Sequence, residues 1–149
     1  MAPERIQLDA RALTEMSAAL RAAAPEEGCA LLLGNRRDAL WWLRRIWPCR
    51  NAWEPAHERR HRFALDPRQQ LDAQTWARRH DLEVLGVAHS HPASLAIPSA
   101  TDRQRTPLPS LMLILGLDGL GCWWLEHPDQ SPRRLSWERV AAGDAESGR

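Results

Sequence analysis

The stretch Leu82-Glu83-Val84-Leu85-Gly86-Val87-Ala88-His89-Ser90-His91-Pro92 decides how this chain is organised. Its apolar run, of strand length, predicts a buried β-strand over 82–89, and Pro92 ends it. Two histidines at i and i+2 on a strand end point to the same face. They stand roughly 6–7 Å apart at the backbone, a gap that one zinc ion can bridge. Asp102 follows His91 after ten intervening residues, enough for a loop to return a carboxylate. Two histidines and one aspartate leave a fourth position open to water, as in a catalytic rather than a structural zinc site. The same residues have plainer readings. Ser99-Ala100-Thr101-Asp102 makes a good capping box for a short helix, with the acid favourably placed in the first turn. His89 can equally be a hydrogen-bonded histidine at a strand edge. Capping and ligation by Asp102 are compatible, since a capped helix holds its first turn in place.

Working outward, Arg5–Asp9 reads as a short strand and 10–23 as a helix, with Leu13, Met16, Leu20 and Ala24 at helical spacing, stopped by Pro25. A strand over 28–33 is expected to turn at Gly34-Asn35 into a second, tryptophan-rich strand over 39–47. Asp66-Pro67 starts a helix reaching about His80 that should bury Leu71, Ala73, Trp76 and Ala77. Strands over 111–117, 121–126 and 134–140 follow, and 141–149 reads as a frayed tail. Strands and helices mingle without regular βαβ alternation, which predicts a mixed α/β or α+β sheet. Trp41-Trp42 and Trp123-Trp124 are adjacent pairs on strands, so one ring of each should face outward. Such a ring is either covered by helices and loops or forms a partner or homodimer surface.

A second zinc pattern competes. His57-Glu58-Arg59-Arg60-His61 is a literal HExxH, in which a helix would put both imidazoles on one face with the glutamate as general base. Pro55 precedes it, Asp66-Pro67 already opens another helix, and no apolar stripe seats it. A charged surface loop is the favoured reading.

Composition narrows the class. With 149 residues the chain suits one domain, and 44% apolar content suffices for a core. Net charge is +1, without a long run of one sign, so neither nucleic acid nor a membrane surface is indicated. The longest apolar run is far short of a membrane span, and no signal-peptide pattern opens the chain. Three scattered cysteines read as reduced thiols in a cytoplasmic protein. All 20 basic residues are arginine, there is no tyrosine, and eight residues are tryptophan, a skew expected of a GC-rich genome. An enzyme working beside a lysine-conjugating pathway would also escape modification by having no lysine.

The chain resembles the JAMM metalloproteases of the JAB/MPN/Mov34 superfamily. It shares their H-x-H-P at His89-Ser90-His91-Pro92, their serine at Ser99 and their aspartate at Asp102, without a gap in spacing. Upstream, 25–34 is similar to the family's P-x-E-x-x-G-L-L-x-G segment, which places its glutamate on Glu27, beside Glu26. Ala30 stands where the family usually has glycine. Asn51, Arg62-Phe63, Asp66 and Leu85-Gly86-Val87 also fall where bacterial members have similar residues. The resemblance implies one MPN/JAB-type domain over 1–140, with a mixed curved sheet flanked by helices. It further implies Zn2+ held by His89, His91 and Asp102, with Glu27 as general base and acid and Ser99 supporting the oxyanion. Ser90 should face away from the metal. The implied substrate is a ubiquitin-like or sulfur-carrier protein, cut after its C-terminal Gly-Gly, whose tail could dock by β-augmentation. A metal-free MPN scaffold that binds partners without catalysis is the alternative.

Overall fold

In the computed structural model, which describes residues 2–141, Arg5–Asp9 forms β1 with Ile6 and Leu8 buried. Asp9 then caps α1 (Ala10–Ala22), its carboxylate accepting from the Arg11 and Ala12 amides at 2.9 and 3.2 Å. The helix buries Ala12, Met16 and Leu20, a spacing of four that keeps them on one stripe.

β2 (Cys29–Arg37) and β3 (Leu40–Cys49) form a hairpin longer than expected. The chain does not turn at Gly34-Asn35. It passes through a register shift between Leu33 and Gly34 and turns at Asp38, whose φ is 53°. Gly34 serves close approach instead: a Cβ there would sit 1.7 Å from the Trp42 carbonyl oxygen. α2 (Pro67–Arg79) starts as expected, with Asp66 accepting from the Arg68 amide and Pro67 opening the first turn. It buries only Ala73 and Ala77, while Leu71 is 63% exposed. Two residues are about 200° around a helix, so a helix seated through Ala73 turns Leu71 outward. Trp76 lies against Trp47 at 5.9 Å and stacks on His80 at 3.8 Å.

β4 (Glu83–Ser90), α3 (Ala100–Arg105), β5 (Ser110–Gly116), β6 (Gly119–Leu125), β7 (Arg133–Arg134) and β8 (Ser136–Val140) complete one eight-stranded sheet of order β7-β6-β5-β4-β2-β3-β1-β8. Pairing is mixed: β1–β3, β1–β8 and β4–β5 are parallel, the others antiparallel. The two end strands, β7 and β8, are separated by Leu135 alone, so the sheet's edges are brought together. Leu135 is buried, and its amide donates to the Cys122 carbonyl at 2.8 Å. The curl also explains why Trp41 of β3 and Trp124 of β6 meet edge to face at 5.5 Å with three strands between them in the order.

The fold is therefore a mixed α/β domain with a curved, nearly closed sheet flanked by three helices. Its main core lines the inner face, where Ile6, Leu8, Leu32, Leu43, Leu111 and Leu113 pack with the buried stripe of α1. A smaller cluster of Cys29, Phe63, Val87, Met112, Ile114 and Leu125 lies on the other face.

In each tryptophan pair one ring joins the main core and the other, Trp42 or Trp123, is covered, though by arginine side chains rather than by helices. Trp41 and Trp42 are both buried. The Arg37 guanidinium lies 5.7 Å over Trp42, whose indole N–H donates to Gln7. Trp123 is half-buried beneath Arg134 and donates to the Ala96 carbonyl. Among the described residues no helix is long and apolar enough to cross a membrane. Of the tail expected at 141–149, all but Ala141 lies outside the described residues.

Candidate metal centre

The site is assembled where three separate segments converge on the end of β4. His89 is wholly buried on the last turn of the strand, paired in register with Cys29 on one side and Ile114 on the other. Past the strand's end, the His91 amide still donates to the Leu115 carbonyl at 2.9 Å. This extra backbone bond keeps the chain extended, so the imidazoles of residues 89 and 91 stay on one side, 4.9 Å apart at their centres. Phe63 stacks over His89 at 4.3 Å.

Asp102 arrives from the first turn of α3. Ser99 caps that helix: its hydroxyl accepts from the Asp102 amide at 3.0 Å, while its own amide donates to Asp102 Oδ2 at 2.9 Å. The capping box thus aims the carboxylate, and Oδ2 lies 3.2 Å from His91 Nε2 and 3.5 Å from His89 Nε2. His91 Nδ1 is 2.8 Å from the Leu95 carbonyl. A carbonyl only accepts, so Nδ1 carries the proton and the neutral ring offers Nε2 as a bare lone pair.

Glu27 comes from the segment before β2. Its amide donates to Arg59 at 2.8 Å, and its carbonyl accepts from Asn51 Nδ2 at 2.9 Å. Of the two adjacent acids, Glu26 is half-buried, whereas Glu27 is only 3% exposed and has Oε1 3.4 Å from His89 Nδ1. Candidate ligand atoms of Glu27, His89, His91 and Asp102 all lie within 4.8 Å of one another.

Two atoms of this cluster, Glu27 Oε1 and His89 Nδ1, are buried without a hydrogen-bond partner. Orphaned polar atoms of this kind are costly in a protein interior, and they mark a place built for something else. The donor set fits a borderline divalent cation. Ligands about 2.1 Å from a tetrahedral zinc ion lie about 3.4 Å apart, close to the 3.2 and 3.5 Å separations between the two imidazoles and Asp102. Electrostatics agree. Burial works against the charged form of His91, but the Asp102 hydrogen bond, the Leu95 carbonyl and the nearby carboxylates outweigh it and raise its pKa. For Asp102 burial works upward, and the His91 hydrogen bond, the His89 ring and the Ser99 amide outweigh it and lower its pKa. The pocket favours a positive charge beside a negative one, which a cation can supply in place of a proton.

The competing HExxH does not form a site. Only Ala56–Glu58 is helical there, as a single 3-10 turn after Pro55, and both His57 and His61 are exposed. Glu58 instead accepts from Trp53 Nε1 at 3.2 Å and from Arg62 at 3.0 Å, clipping the loop together. No thiolate competes either: burial pushes Cys29 and Cys122 up to about 12 and Cys49 up to about 11.

Two residues outside the expected set position the site. Ser90 does face away from the two imidazoles, and its hydroxyl accepts from the Gly28 amide at 2.8 Å while its own amide donates to the Gly28 carbonyl at 3.0 Å. This two-way clasp ties the histidine strand to the residue after Glu27. Gly28 has no room for a side chain, since a Cβ would stand 2.6 Å from the Leu20 carbonyl oxygen. Asn51 is the second: besides Glu27 it donates to Arg62 at 2.9 Å and accepts from the Trp53 and Ala64 amides. Period-two alternation could have shown that Ser90 opposes the histidines, but not what it would meet.

A groove of about 580 Å3 leads away from Asp102 over the outer sheet face, past Trp53, Phe63, Val84, Val87, Gln70 and Gln74. β4, which lines part of the groove, is paired on both sides.

Residues 9–126 match a family model of prokaryotic homologs of the JAB domain. The solution structure of a protein from Desulfitobacterium hafniense superposes with a TM-score of 0.81 at 30% identity, covering 91% of this chain and 93% of that one. A solution structure from Salinibacter ruber superposes at 0.68 with 27% identity, covering 90% and 91%. No curated protein matches the chain.

Proposed function

The chain belongs to the prokaryotic homologs of the JAB domain, and on that basis we propose a zinc-dependent peptidase or isopeptidase. It would hydrolyse the bond after the C-terminal Gly-Gly of a ubiquitin-like or sulfur-carrier protein, in the cytoplasm. The family and the Glu-His-His-Asp cluster together fit a JAMM-type metallohydrolase. The observation that carries the reading is the buried quartet with Glu27 Oε1 and His89 Nδ1 left unpartnered at its centre.

His89, His91 and Asp102 would hold the ion, which when bound supplies Lewis acidity to the site. The rest follows from the chain's own groups. Glu27 accepts the proton of the attacking water and delivers it to the leaving amine. Its carboxylate is held for this by backbone bonds on both sides of residue 27, to Arg59 and Asn51. Ser99 accepts from the Asp102 amide and keeps its own hydroxyl proton free, so it can donate to the oxygen of the tetrahedral carbon. A donor of this kind contributes about 3–4 kcal/mol. The groove beside Asp102 is lined by Trp53 and Phe63 among other residues and offers room for a peptide tail next to the scissile bond.

The test is incubation with Gly-Gly-tailed protein conjugates, with and without chelator, following product mass. Cleavage lost on chelation and in Glu27→Gln is the expected result. Absence of cleavage from every conjugate would refute the substrate class. Protein that binds no zinc, with no change of cleavage rate in Glu27→Gln, would favour the metal-free partner-binding scaffold.

A further inference from the structure

We infer that Arg105 makes the groove a carboxylate-selecting site: the substrate must present a carboxylate within a few residues of its scissile bond. This rests on the peptidase reading above and deepens it.

Among the described residues, Arg105 is the only charged side chain that lines the groove besides the candidate ligand Asp102. It follows Asp102 by three positions on α3, so the two side chains leave the same helix face about 5–6 Å apart at Cβ. An extended peptide advances about 3.3 Å per residue, which puts the guanidinium opposite a substrate group two or three residues from the centre. Among the described residues Arg105 forms no ion pair or hydrogen bond, and its guanidinium lies 5.4 Å from the centre of the Trp53 ring. Arg62 lies over the same ring at the same distance, but Glu58 already engages its charge. Trp53 is a firm platform. Its indole N–H donates to Glu58, its amide donates to Asn51, and its carbonyl accepts from Arg59 at 2.7 Å. With its guanidinium beside that ring and no acid among the described residues engaging it, Arg105 keeps its N–H groups available, in the fork that a carboxylate accepts with two oxygens. Gln70 and Gln74, one turn apart on α2, line the same groove and can hydrogen-bond a peptide main chain.

The carboxylate can come from an acidic side chain on the acyl side or from the free α-carboxylate of a single-residue leaving group. Three probes separate these. Ac-Leu-Ala-Gly-Gly-Ala-NH2 carries no carboxylate. Ac-Leu-Ala-Gly-Gly-Ala ends in a free one. Ac-Leu-Glu-Gly-Gly-Ala-NH2 carries an acyl-side acid. Each is titrated by calorimetry into wild-type protein and Arg105→Gln, and cleavage is followed in parallel by mass. One carboxylate probe should bind on the order of tenfold tighter than the neutral probe, and Arg105→Gln should abolish that advantage while leaving the neutral probe unchanged. The tighter probe identifies the source of the carboxylate. Equal binding of all three, no binding of any, or a preference that survives in Arg105→Gln would overturn the assignment. Carboxylate-dependent binding without cleavage would count against the peptidase reading and for this one; cleavage without carboxylate dependence would do the reverse.

Discussion

Replacing Ser90 by alanine tests whether the site is held together through the back of the histidine strand. The hydroxyl accepts from the Gly28 amide, and both residues are buried. Removal therefore loses one hydrogen bond and strands a buried N–H, a combined cost of about 2 kcal/mol. For a domain of this size that corresponds to a fall in Tm of about 4–8 °C. The hydroxyl touches no nitrogen of His89 or His91, so metal affinity should stay within about twofold, unlike the loss expected on removing a partner of a ligand. The loss of stability should be similar with and without chelator, because the clasp lies outside the cluster. Turnover of a cleaved conjugate should fall several-fold at unchanged KM, since Gly28 is covalently next to Glu27. Denaturant unfolding, metal titration and steady-state rates read the three effects separately. A loss below about 0.5 kcal/mol, or a drop in metal affinity that parallels the drop in stability, would refute this account of Ser90.

Three further outcomes follow from other parts of the molecule. Zinc at about 100 times its dissociation constant should stabilise the fold by about 2.7 kcal/mol, and Asp102→Asn should remove most of that gain; calorimetry showing no zinc-dependent rise in Tm would count against the metal centre. Burial raises the folded-state pKa of Cys29, Cys49 and Cys122 to about 12, 11 and 12, so the folded state holds these protons more tightly than the unfolded state does. The resulting stabilisation is complete below the unfolded value of about 8.5 and is lost as pH rises from there toward 12, and with no lysine or tyrosine present the thiols dominate side-chain titration in that window. Urea midpoints that stay flat from pH 8.5 to 11 would contradict it. Gly34→Ala should destabilise by about 3 kcal/mol, because the new methyl meets the backbone of Trp42; a variant as stable as the parent would show that the hairpin can open at its bulge.

What could be read in advance follows from the range of the interactions concerned. β4, α1 and the capping box of α3 are local patterns of period, cap and proline, and they stand within a few residues of expectation. The meeting of His89, His91 and Asp102 is legible from strand alternation and the length of the returning loop, whereas Glu27 joins them only through resemblance, since no local pattern says that 27 meets 89. The turn at Gly34 was misread because a glycine before asparagine signals a reversal, whereas this one makes room for the Trp42 carbonyl. Leu71 stands exposed against expectation because burial depends on which neighbour arrives, and the same dependence decides between the two fates open to Trp42, whose outward ring Arg37 and Gln7 cover. The curl of the sheet left no trace in periodicity at all.

The seam between β7 and β8 also bears on how the molecule is made. β1 takes its second neighbour from β8, almost a full chain length later, and β6 takes its own from β7. At the usual pace of translation, β1 therefore leaves the ribosome on the order of ten seconds before its last partner exists. Through that interval the nascent chain carries two open strand edges, which are templates for pairing with other chains. The final strands act as a late-arriving clasp, and a chain cut short before residue 133 would carry most of its core with the edges of β6 and β1 uncovered.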